Sequence, residues 1–176
     1  MKLPFGMLAV LALATAAGCA DPAPSEDGVA FGVTRVGDRY HLRAPLCDGD
    51  LVAAVQVVAV RPAEDGATES PQDTWWQVEL PVRESIADGA VPLGDDDAFR
   101  TVVVPAGSRT PFPKVATVRL WVGRPPKGHE VSGTFLASTV PTYPAGTDLG
   151  TVSYVFDSGS GEQRLLTAST ISAICQ

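Results

Sequence analysis

The chain has 176 residues, 45% of them hydrophobic and 19% charged, with a formal net charge of −7 and a pI near 4.7. This size and apolar content fit one domain with a packed core and exclude global disorder. The acidic balance argues against a nucleic-acid partner, which needs a basic stripe, and against electrostatic docking onto anionic lipid.

In chain order, Lys2 is followed by the apolar run "LPFGMLAVLALATAAG" (3–18). The run is shorter than the roughly 20 residues that span a bilayer, and Pro4 and Gly6 weaken it as a helix. Small residues crowd its end from Ala14 to Gly18, as a signal-peptide cleavage site requires, so residues 1–18 read as a signal peptide. "ADPAPSEDG" (20–28) has two prolines and no periodic apolar residue, the composition of a flexible tether.

From Val29 onward the hydrophobic period is two. "RYHLRA" (39–44) sets Tyr40, Leu42 and Ala44 against Arg39, His41 and Arg43. "DTWWQVEL" (73–80) sets Trp76, Val78 and Leu80 against Trp75, Gln77 and Glu79. "VATVRLWVG" (115–123) sets Ala116, Val118, Leu120 and Val122 against Thr117, Arg119 and Trp121. Each predicts a strand with one buried face. "LVAAVQVVAV" (51–60) is apolar on nearly both faces, as a central strand covered on both sides would be, and its valines favour strand over helix. Further strands are predicted at 30–36, 99–104, 131–138, 151–156 and 164–174; "VRESIAD" (82–88) fits one helical turn within a longer loop. Strands this short, separated by Gly, Pro and Asp turns, predict an all-β domain over 29–176. A two-sheet antiparallel sandwich, immunoglobulin-like in general architecture, is favoured over a barrel.

"AAGC" (16–19) resembles the lipobox of bacterial lipoproteins, matching at Ala17, Gly18 and Cys19, with Ala16 where leucine is usual. In composition and strand layout the chain is also similar to small uncharacterised lipoproteins of actinomycete type. The lipobox resemblance implies that Cys19 becomes the first residue of the mature protein and carries a diacylglycerol on its sulfur. That anchor would hold an extracytoplasmic domain on the cell membrane, at about 0.8 kcal/mol per buried methylene. An ordinary secretory signal cut after Ala17 or Gly18 would instead leave Cys19 as an unused thiol in an oxidising compartment. Of the three cysteines, Cys47 and Cys175 then form the natural disulfide, closing a loop worth roughly 4–5 kcal/mol in the loop-entropy account.

The chemistry-bearing motifs are weak. "VFDSGSG" (155–161) resembles the active-site loop of aspartic peptidases, in which Asp157 would share a proton with a second aspartate. No second Asp-Ser/Thr-Gly exists, only 19 residues follow Asp157, and a hairpin turn explains the composition. His41 and His129 lie in no nucleophile–base context, and no zinc set has the usual spacing. The acidic "GDDDAF" (94–99) fits a solvated loop better than a calcium loop, which alternates its ligands.

Trp75 and Trp121, with Arg119 beside the latter, remain as a possible binding platform for a protein or glycan. A loop such as 108–114 or 141–148 would otherwise cover them. The sequence thus predicts a membrane-anchored, non-enzymatic binding or cell-envelope structural module without cofactor or metal. The rival expectation is a hydrolase using carboxylates of the 94–99 or 155–161 loops.

Overall fold

The computed structural model describes residues 31–47, 49–61, 72–82, 86, 89–106, 111–124, 127–157 and 163–175. The predicted signal peptide, Cys19 and the predicted tether lie outside the described residues.

Among the described residues eleven strands form two sheets. The six-stranded sheet contains β1 (Gly32–Val36), β2 (Arg39–Arg43), β5 (Ala90–Pro92), β9 (Thr142–Tyr143), β10 (Ser153–Asp157) and β11 (Gln163–Thr167), in the order β11-β10-β1-β2-β5. Its one parallel pairing joins the two-residue β9 to β1. The five-stranded antiparallel sheet orders β6 (Phe99–Val104), β4 (Gln72–Pro81), β3 (Leu51–Val60), β7 (Val115–Arg124) and β8 (Lys127–Leu136). The predicted all-β two-sheet sandwich is therefore the architecture, and all nine predicted strands occur. The additional strands β5 and β9 have three and two residues, too short for a hydrophobic period to register.

The alternation read from β2 and β7 holds. Tyr40 and Leu42 on one sheet, and Ala116, Val118, Leu120 and Val122 on the other, point into a single core between the sheets. Gly133 on β8 lies where a Cβ would come 3.1 Å from the Phe31 ring, so its bare backbone is what admits that ring.

Three expectations are corrected. β3 buries one face only: Val52, Val55, Val57 and Val58 are buried, while Leu51 and Ala53 are exposed and Gln56 is half-buried. On its outer face Gln56 donates to Thr74 Oγ1 and Gln77 Oε1, both at 3.2 Å, so this central strand has a polar ladder beside it rather than a covering layer. Leu80, predicted inward, is 55% exposed because its backbone adopts φ 58°, the left-handed region that turns the side chain out of the strand's alternation.

The third correction concerns 164–174, which is a strand only to Thr167. It continues as α1 (Ala168–Ser172) and a 3₁₀ turn (Ala173–Cys175). The Thr167 hydroxyl caps α1 by accepting from the Thr170 N–H at 3.3 Å, and Ala168 and Ile171, three apart, bury one face. They form a second small core with Val152 and Tyr154. The β-branched Thr170 and Ile171 mimic strand composition, which is why the helix is missed from sequence. Ile86 of the 82–88 segment is buried; residues 83–85 and 87–88 lie outside the described residues.

Candidate functional site

β4 carries the feature that shapes the surface. Val57 pairs with Trp76 and Val58 with Thr74, so Trp75 is an extra residue, a β-bulge. A bulge breaks the two-residue alternation and re-aims the side chains around it. Trp76 is fully buried against Phe99, ring centroids 5.6 Å apart at 82°. Trp75 does not join the outer polar face that alternation predicts. It is half-buried with its ring edge on Phe112, centroids 5.1 Å apart at 64°. Phe112 stacks in turn on Tyr40 at 4.1 Å and Phe135 at 5.9 Å, and so bridges the two sheets at one end of the sandwich. Of the two fates considered for Trp75, the cover comes from the 108–114 segment, through Phe112.

Trp75 and Phe112 line a cleft of about 720 Å³. Pro105, Pro111 and Pro113 also line it, and Arg61, Asp73 and Lys114 supply its charges. Arg61 and Asp73 form an ion pair. Gly94 keeps the back of the Trp75 ring clear: its φ is +81°, and a Cβ there would come 2.9 Å from Trp75 Cη2.

The acidic 94–99 segment fastens this region. Asp96 accepts from the Trp76 indole N–H at 2.8 Å and from the Ala106 N–H at 3.3 Å. One carboxylate thereby ties a core tryptophan to the chain leaving β6, beside Pro105. Asp95 pairs with Arg39 at 3.7 Å. Among the described residues no group of three or more His, Cys, Asp or Glu side chains is gathered as a metal ion would need.

The other sequence-selected residues lie apart. Trp121 is half-buried on the outer face of the five-stranded sheet, in register with Ala54 and Glu130, and Arg119 reaches Glu130 at 3.9 Å. β3 separates β4 from β7, so Trp121 lies two strands from Trp75 and is not among the residues that line the cleft. His41 is on β2 opposite Thr34 and Pro92, and His129 is exposed on β8 of the other sheet, so the two do not meet. Burial lowers the His41 imidazole below its usual value and Arg39 adds to this, with Asp95 opposing. Asp157 ends β10 opposite Gln163 of the antiparallel β11; residues 158–162, which carry the Gly/Ser stretch, lie outside the described residues.

Cys47 is disulfide-bonded, and its partner's side chain lies outside the described residues. Arg43 Nη2 donates to Ser172 Oγ at 3.5 Å, which brings the segment leading to Cys47 close to the one leading to Cys175.

Sequence reasoning missed Phe112 and the bulge. The available signal was the pair Trp75-Trp76 itself: two adjacent large apolar residues cannot both point inward in a regular strand. The proline-rich flanks of Phe112 were a second sign of a shaped wall.

No protein-family model, no curated protein and no solved structure matches the chain.

Proposed function

We propose that the chain is a lipid-anchored, extracytoplasmic binding module of the cell envelope and not an enzyme. The observation that carries the anchor is the sequence "AAGC" ending a short apolar run after Lys2, which would make Cys19 the acylated first residue. Among the described residues no helix is long and apolar enough to cross a membrane. The disulfide state of Cys47 supports an oxidising compartment, and the Arg43–Ser172 contact supports Cys175 as its partner. Binding is assigned to the cleft beside Trp75, where aromatic and proline rings stand next to a few charged groups, the usual make-up of a ligand site. Two of the three carboxylates of 94–99 support binding over hydrolysis, because Asp96 is committed to two N–H groups and Asp95 faces Arg39.

Metabolic labelling with radioactive palmitate tests the anchor. Label is expected on the native chain in the membrane fraction and is expected to vanish in Cys19→Ala; label persisting in Cys19→Ala overturns the reading.

A further inference from the structure

We propose that the cleft beside Trp75 docks an extended, proline-containing segment of a partner protein, with an acidic side chain of that segment on Lys114. This rests on the binding-module reading and names its ligand class. The Trp75 and Phe112 rings meet at 64°, which makes an angled apolar slot rather than a flat platform, and the three prolines stiffen its walls. A polyproline II strand has no internal hydrogen bonds and presents rings along a rigid backbone. It fills aromatic-lined grooves at small entropic cost.

A sugar would need several directional donors and acceptors around the rings. Here Asp73 is engaged by Arg61, and the Thr74 hydroxyl, which accepts from Gln56 on the outer face, keeps one donor and one acceptor site. The groove thus offers rings more than polar partners. Its charge is complementary to a carboxylate: among the described lining residues, Arg61 and Lys114 against Asp73 leave one positive charge in excess, on a chain whose net charge is −7. With Arg61 paired to Asp73, Lys114 is the cation best placed to receive it. The bulge at Trp75 supports the same assignment, since bulges recur where a side chain is re-aimed next to a binding surface.

The test uses the full chain, isotopically labelled and held in detergent, and reads its three tryptophan indole N–H signals by NMR. The probe is a capped heptapeptide of alternating proline and alanine with one aspartate at its N-terminal end. A saturable shift of the Trp75 indole is expected, with the Trp121 indole unmoved. Lys114→Glu is expected to weaken binding about three- to fivefold, the scale of an exposed ion pair. A lysine-for-aspartate peptide is expected to regain that loss on Lys114→Glu. Lys114 is exposed, so its replacement leaves the core intact.

The proposal is overturned if Trp75 shows no saturable shift at millimolar peptide, if an all-alanine peptide binds equally well, or if Trp121 shifts instead. A Trp75 response to chitin oligosaccharides and not to the peptide also overturns it, in favour of a sugar. Palmitate labelling reads the anchor independently. A labelled chain with a silent titration removes the docking proposal alone, and an unlabelled chain removes the anchor alone.

Discussion

Asp96 shows how a residue that sequence reading assigns to a solvated acidic run acquires a structural task. Its Oδ1 is the acceptor for an indole that is otherwise sealed in the core, and an unsatisfied buried donor costs about 1–3 kcal/mol. Asp96→Ala is therefore expected to lower stability by about that amount, a fall in Tm of roughly 2–12 °C at this chain length. Asp96→Asn keeps a carbonyl acceptor and should recover most of the loss. Thermal unfolding followed by near-ultraviolet circular dichroism checks both; equal losses in the two variants would show that charge, not hydrogen bonding, is what Asp96 contributes. The indole partner was hidden in the sequence, because nothing in "GDDDAF" says which of three adjacent aspartates turns inward. Trp76, by contrast, was legible as buried from its place in the β4 alternation.

At the scale of the element, the end of the chain illustrates a competition between strand composition and capping. β11 gives way to α1 where Thr167 can cap it, and the helix packs on the outer face of the six-stranded sheet through Ile171 and Tyr154. The Tyr154 hydroxyl donates to the Leu149 carbonyl at 2.9 Å. Burial raises the phenol above its ordinary value of 10.0, with Arg43 opposing and Asp148 adding. A folded-state value above the unfolded one means that this contribution to stability is complete below pH 10 and is lost as pH rises through the raised value. Tyr154→Phe should cost about 1 kcal/mol near neutrality, for the lost hydrogen bond, and should flatten the alkaline limb. Urea midpoints at about pH 8 and about pH 11 measure this, and an unchanged alkaline slope would refute it.

For the whole molecule, the proposed bridge from Cys47 to Cys175 is the feature with the largest expected energy. If Cys47 is bridged to Cys175, Cys175→Ser should cost about 2–5 kcal/mol, a Tm lower by roughly 4–20 °C. Alkylation of the unfolded, unreduced protein that labels Cys175 would rule the bridge out. The strands and the sandwich class followed from the sequence alone, because a period of two with Gly and Pro punctuation reports which faces are apolar, and that is a local property. The signal-like run and the Cys19 context are local in the same sense. The tertiary structure decided what periodicity cannot carry: that β3 leaves one face open, that a bulge takes Trp75 off the outer face, that Phe112 packs on it to line a cleft, and that Gly94 and Asp96 brace the tryptophan pair. Each of these depends on which distant segments become neighbours, and a pattern read along one strand holds no information about what packs across it.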